Sequence, residues 1–216
     1  MNLTINTFSV NPLQVNCYVV SDKTKEAVVI DCGCSTESEW NEIKAYAESE
    51  GLTLTHHLCT HLHFDHVWGC AYLFRDFQLY PEANYDDMDI YSHIDKQICS
   101  VVGFALPYPP MPPLGRSLMD GDKIAFGNTT FKVIATPGHS KGCICFYDEK
   151  NQVLFSGDTL FSSSCGRTDL EGGDFDELLD SLKKLFVLPD NTQVYCGHGP
   201  STSIKREKDY NPFFYQ

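Results

Sequence analysis

The run Thr60-His61-Leu62-His63-Phe64-Asp65-His66 constrains this chain more than any other feature. Four ligand-type side chains fall within six residues, directly after an apolar, strand-like stretch at Leu54 to Thr60. They cannot all be core, because a buried polar group without a partner is costly. His61 and His63 alternate with Leu62 and Phe64, so both imidazoles are expected to leave the chain on one side. Asp65 and His66 follow where the chain turns toward a helix, and can aim at a neighbouring point. Such a loop can serve two metal ions a few ångströms apart.

Three further segments repeat the idea. Pro137-Gly138-His139-Ser140 follows a strand-like stretch ending at Ala135, and Ser156-Gly157-Asp158-Thr159 follows another and delivers a carboxylate. Cys196-Gly197-His198-Gly199-Pro200 closes a third. A satisfied polar loop would account for one such motif, but not for four at four strand ends. Five of the eight histidines lie in them, which makes shared metal ligation the better explanation. Nitrogen and oxygen donors without thiolate suit zinc, iron or manganese rather than a closed structural zinc site.

Between the motifs, short β-rich runs cover Leu3 to Val10, Asn16 to Val20 and Ala27 to Ile30. A helix is expected over Ser35 to Glu50, with Thr36 and Glu39 at capping-box spacing and Trp40, Ile43 and Ala47 on one face. Val67 to Phe74 reads as helix, Gln78 to Tyr80 as a short strand, and Glu82 to Val102 as one longer helix. Pro107 to Pro113 forms a stiff connection. Strands follow at Lys123 to Phe126, Thr130 to Ala135, Cys143 to Tyr147 and Gln152 to Ser156. A helix over Asp174 to Phe186 turns Phe175, Leu178, Leu179, Leu182 and Leu185 inward, and a strand at Gln193 to Cys196 closes the series. Two packed sheets with helices outside would bury these elements as one domain, residues 1–216, made of two related halves.

With 42% apolar residues, a core of that size is within reach. The net charge of −13 repels phosphate backbones and anionic membranes, so nucleic acid and membrane surfaces are poor partners. Ten cysteines include no C-x-x-C pair, and the first residues lack a basic and then apolar leader, so reduced, mostly buried thiols in the cytoplasm are expected. No apolar run approaches a membrane span.

The four motifs, H-x-H-x-D-H, P-G-H-S, S-G-D-T and G-H-G-P in this order, resemble the metallo-β-lactamase superfamily from about Asn16 to Pro200. The resemblance implies an αββα sandwich of two mixed sheets with helices outside. It implies two divalent ions, zinc first and iron or manganese as alternatives, with His61, His63 and His139 on one and Asp65, His66 and His198 on the other. Asp158 would bridge them, and Asp65 and Asp158 would be the catalytic carboxylates. A water between the ions would be acidified toward neutrality and attack a polarised carbonyl.

Within the superfamily, Asp158 stands where two-metal β-lactamases tend to carry cysteine, and His63 where flavodiiron proteins carry glutamate. Nuclease branches carry an extra domain or a basic arm that this sequence lacks. The chain is most similar to the glyoxalase II group of hydroxyacylglutathione thioesterases, through Gly157 to Phe161, Cys165 to Asp169, His198 to Thr202 and Asn211 to Phe213. Its small-molecule thioester would meet Arg167, which a pairing with Asp169, Glu171 or Asp174 could equally occupy. The appended helical domain of longer members is not expected here, which leaves the thiol carrier open, as is the oligomeric state. The Gly166-Arg167-Thr168-Asp169 run also resembles mononuclear iron persulfide dioxygenases, and a non-catalytic metal-binding scaffold is the third reading. Elsewhere, Asp31 is expected to support a ligand histidine, His56, His57 and His93 to lie at the surface or behind the ligands, and Cys32 and Cys34 to pack. Tyr108 and Met111 would cover the site's mouth or belong to a rigid connector.

Overall fold

A computed structural model describes residues 3–215. The first half runs β1 (Leu3–Val10), β2 (Val15–Asp22), β3 (Glu26–Ile30), α1 (Glu37–Ser49), β4 (Thr53–Leu58), α2 (Phe64–Val67), α3 (Cys70–Phe77), β5 (Pro81–Glu82), α4 (Met88–Tyr91) and α5 (Ile94–Val102). The second runs β6 (Lys123–Phe126), β7 (Thr129–Ala135), β8 (Ile144–Asp148), β9 (Val153–Gly157), β10 (Leu160–Phe161), β11 (Ser164–Cys165), α6 (Phe175–Phe186), β12 (Gln193–Cys196), β13 (Thr202–Ser203) and α7 (Ile204–Tyr210).

Two mixed sheets face each other. The first has the order β1-β2-β3-β4-β5, antiparallel through β3 and parallel beyond it. The second has the order β13-β12-β9-β8-β7-β6, with a parallel pair at β12 and β9. Their inner faces meet in an aromatic and aliphatic core, where Tyr18, Val28 and Ile30 lie against Phe126, Phe131, Phe146 and Phe155. Helix α1 covers the outer face of the first sheet through Trp40, Ile43 and Ala47, and α6 and α7 cover the second through Leu182, Leu185 and Ile204. Because helices close both outer faces, β3, β8 and β9 are apolar without strict alternation. The αββα sandwich implied by the motifs is what the chain forms.

Local signals placed most elements well. Thr36 caps α1 through the N–H of Glu39, and the Glu39 carboxylate reaches back to Thr36 N, completing the capping box. Elsewhere tertiary packing overrode periodicity. Helix expected from Val67 begins at Phe64 and breaks at Trp68-Gly69, where Gly69 N donates to Cys32 O at 2.8 Å and a β-carbon would strike that carbonyl. The strand expected at Gln78 to Tyr80 lies instead at Pro81–Glu82, because Gln78 is left-handed and ends α3. The long helix over Glu82 to Val102 is three pieces, a 3₁₀ turn at Tyr85–Asp87, then α4 and α5, parted at Ser92-His93. Phe175 is 42% exposed rather than inward, edge-on to Phe213. Helix α7 went unanticipated, although Ser203 caps it through Arg206 N.

Candidate metal centre

The ligand loop leaves β4 and enters α2, as the alternation demanded. His61 and His63 project together, with ring centroids 4.8 Å apart, and Asp65 and His66 follow on the first turn of α2. His139 arrives on the turn after β7, Asp158 just beyond β9, and His198 after β12. A β-carbon at Gly197 would collide with the Asp158 carboxylate and the His66 ring, so only glycine admits this approach. All seven residues meet at one end of the sandwich.

Their donor atoms sort into overlapping groups, each within 4.8 Å: His61, His63 and His139; His61, His66 and Asp158; and Asp65, His66 and His198. Asp158 spans the set, with Oδ1 3.3 Å from His66 Nε2 and Oδ2 3.6 Å from His139 Nε2 and 3.5 Å from His198 Nε2. His198 Nε2 also lies 3.3 Å from Asp65 Oδ2.

Four of the five rings are aimed by their other nitrogen. His139 Nδ1 donates to Arg167 O at 2.7 Å, and His198 Nδ1 donates to Leu13 O at 3.0 Å. A carbonyl can only accept, so these two tautomers are set. His66 Nδ1 meets Asp31 Oδ2 at 3.0 Å, while Asp31 also accepts from Thr60 N and Thr60 Oγ1 at 2.7 Å. The expected support from Asp31 is thus present, and it ties the ligand loop to the end of β3. His61 Nδ1 sits 3.1 Å from Thr60 Oγ1, and its Nε2 is buried without a hydrogen bond. His63 is turned the other way and presents Nδ1, 2.9 Å from His139 Nε2.

Electrostatics divide the set. Burial, then the neighbouring imidazoles, drives His61 well below the usual histidine range and His63 to about 3. Burial acts in the same direction on His66, but Asp158, Asp65 and Asp31 outweigh it and hold His66 well above that range. Burial alone would raise the Asp158 carboxyl, yet His66, His139 and His198 pull it below the ordinary carboxylate range.

A cavity of about 600 Å³ opens over these groups, lined by His63, Asp65, His139, Asp158 and His198 on its floor. Leu13, Phe161 and Leu170 give it apolar walls, and Lys96 and Arg167 bring cations. Arg167 pairs with Asp169 through Nε at 2.6 Å and Nη2 at 2.7 Å while still facing the cavity. The pairing expected with Asp169 is therefore present, at a residue that also lines the cavity. Tyr108 and Met111 line a separate groove with Tyr85 and Tyr91, as a connector would. His56 pairs with Glu82 at 2.6 Å, whereas His57 is fully buried, not at the surface. Cys32 and Cys34 pack in the core beneath α1.

Sequence reasoning passed over three supports. Asp87 is buried and accepts from Leu62 N at 3.1 Å, Ser140 Oγ at 2.7 Å and Gly142 N at 2.6 Å, fastening the His61–His63 loop to the His139 loop. Gln97 Oε1 accepts from Phe64 N at 3.0 Å, and Asn11 Nδ2 donates to Asp65 O at 2.9 Å. An acid inside an apparently continuous helix carries no mark of this duty.

Comparison with known proteins agrees with this geometry. An uncharacterized protein of Aquifex aeolicus is 37% identical over 97% of this chain and 96% of its own length. The hydroxyacylglutathione hydrolase GloC of Haemophilus influenzae is 32% identical over 98% of each chain. Among solved structures, the BLEG-1 B3 metallo-β-lactamase superposes with TM-score 0.89 at 34% identity, covering 99% of this chain and all of its own. TTHA1623 in a di-iron-bound form gives 0.84 at 39%, covering 96% and 99%, and ETHE1 from Myxococcus xanthus gives 0.76 at 29%, covering 97% and 83%. The metallo-β-lactamase superfamily model matches residues 10–198, a span that contains all seven clustered side chains, and the chain belongs to that superfamily.

Proposed function

We propose that this chain is a thioester hydrolase of the glyoxalase II type, working with two divalent cations held by His61, His63, Asp65, His66, His139, Asp158 and His198. The observation that carries the reading is the donor set itself. Seven nitrogen and oxygen ligands converge, with His61 Nε2 buried and unpartnered and Asp158 in reach of both histidine groups. That set fits two cations without thiolate, zinc or iron in kind. Bound there, they would supply Lewis acidity for activating water and polarising a carbonyl.

The protein's own residues do the rest. Asp158 reaches both donor groups, and Asp65, beside His198 and His66, carries the second negative charge that would help hold the cations. Asp31, Arg167 O and Leu13 O keep the rings aimed. Leu13, Phe161 and Leu170 exclude water around an acyl group, while Lys96 and Arg167 offer charge to an anionic thiol carrier. Among the described residues no helix is long and apolar enough to cross a membrane.

Purified protein should hold close to two transition-metal ions per chain and release free thiol from S-lactoylglutathione at neutral pH. Absence of tightly bound metal would overturn the reading. Because one similar structure is a B3 metallo-β-lactamase, a β-lactam belongs in the same assay, and its faster turnover would reassign the substrate. The Gly166–Asp169 run supports a second reading, the mononuclear iron persulfide dioxygenase; the similar TTHA1623 structure, in a di-iron-bound form, speaks for iron but not for a single ion. One iron per chain, with oxygen uptake on glutathione persulfide and no thioester turnover, would establish it.

A further inference from the structure

Three more ligand-type side chains meet outside the cavity, behind the ligand loop. His57 ends β4 with Leu58, Cys59 follows it, and Cys70 opens α3, and all three are fully buried. His57 Nε2 lies 3.9 Å from Cys59 Sγ and 3.6 Å from Cys70 Sγ, and the three donors fall within 4.8 Å of one another. None of them lines the cavity over the seven-residue centre. Leu62, Phe64, Val67 and Ile98 pack around them in an apolar cluster.

Core packing explains buried cysteines but not this imidazole. His57 Nε2 has only the two sulfurs as partners, although a buried polar atom normally finds a strong one; Nδ1 has no hydrogen-bond partner and an ion at Nε2 would leave it so. The spacing suits an ion instead. Metal–sulfur bonds of about 2.3 Å and metal–nitrogen bonds of about 2.0 Å place nitrogen and sulfur roughly 3.5–3.7 Å apart around one ion. The 3.6 and 3.9 Å separations need almost no movement to reach that geometry.

We propose that His57, Cys59 and Cys70 form a separate metal site for a thiophilic d¹⁰ cation, Zn²⁺ or Cu⁺. Sulfur donors select such ions, whereas the neighbouring seven-residue centre offers none. Binding converts the two thiols to thiolates and releases their protons to solvent, with no change of oxidation state. An ion here clasps the end of β4 to the start of α3, and so closes at its base the segment carrying His61, His63, Asp65 and His66. It acts as a clip behind the metal loop rather than as a reacting centre.

The native, full-length protein decides the matter in two anaerobic arms. In the first, loading with Co²⁺ as the zinc probe should give a thiolate-to-cobalt charge-transfer band in the near ultraviolet, which nitrogen and oxygen ligands cannot produce. In the second, Cu⁺ added against a competing chelator should leave one ion per chain with sulfur neighbours in X-ray absorption. The first result assigns the zinc-type ion and the second the copper-type ion. Cys70→Ser and Cys59→Ser should each abolish the sulfur signal and lower metal content by one equivalent, with folding followed by circular dichroism. If neither variant folds, the native protein's spectra decide alone. Absence of sulfur ligation in both arms, persistence of the signal in both folded variants, or a Cys59–Cys70 disulfide in the native protein would overturn the proposal.

Discussion

His61, His63 and His139 form an all-imidazole cluster, whereas Asp65 with His66 and His198 pairs imidazole with carboxylate, although one loop contributes two residues to each group. Burial and mutual repulsion strip protons from His61 and His63, so their lone pairs are already available. Across the site, burial works against charge on His66 and His198, yet the carboxylates prevail and both rings are held above the ordinary range. His61 and His63 are therefore poised as neutral donors. On the other side the carboxylates favour the protons on His66 and His198, against which a cation must compete. Ligand count alone would have made the halves look equivalent.

Asp158 is the residue that breaks the comparison, because its carboxylate reaches both halves. Asp158→Ala should lower the occupancy of both positions and reduce thioester turnover by about 10³-fold or more, as for removal of a core catalytic group. The fold should survive on its inter-sheet core, read by circular dichroism beside metal analysis. Two retained ions and near-normal turnover would refute the bridging role.

Single-side changes come next. His139→Ala should empty the all-imidazole position and His198→Ala the other, each leaving close to one ion per chain. Loss of both ions from either variant would mean that the halves do not fill independently. Asp31→Ala is smaller still, since it removes the partner of one ring and not a ligand. Loss of such a partner costs about 10–100-fold in metal affinity or activity, concentrated in the half containing His66.

The smallest effect is on the stability of the chelated protein, where the two halves should differ in sign. His63 is lowered to about 3 from 6.5, so between those values the unfolded chain binds the extra proton and stability falls as pH falls. This loss is at most about 1.4 kcal/mol per pH unit for one proton. His66 and His198 are raised, so their contribution is present below the unfolded value and disappears as pH rises through the folded one. Thermal melts in chelator should therefore show His63→Asn less acid-sensitive than the parent and His198→Asn more so. The same pH dependence in both variants would erase the distinction.

The sequence by itself determined the ligand loop, because alternation about a strand end decides where His61 and His63 point within a few residues. It also determined α1, whose Thr36–Glu39 box and Trp40, Ile43 and Ala47 face are local properties. Sharing of Asp158 between two histidine groups was legible only as a resemblance, since residues so far apart in the chain have no spacing to read. Only the tertiary structure decided the supports. Asp87 joins Leu62 to Ser140 across separations of 25 and 53 residues, and nothing near Asp87 in the chain marks it. The same holds for the break at Ser92-His93, where apolar periodicity continues but the chain turns, and for Gln97 beyond it, which accepts from Phe64 N. Periodicity and capping act over one or two turns of chain, while hydrogen bonds between distant segments exist only once the sheets have packed.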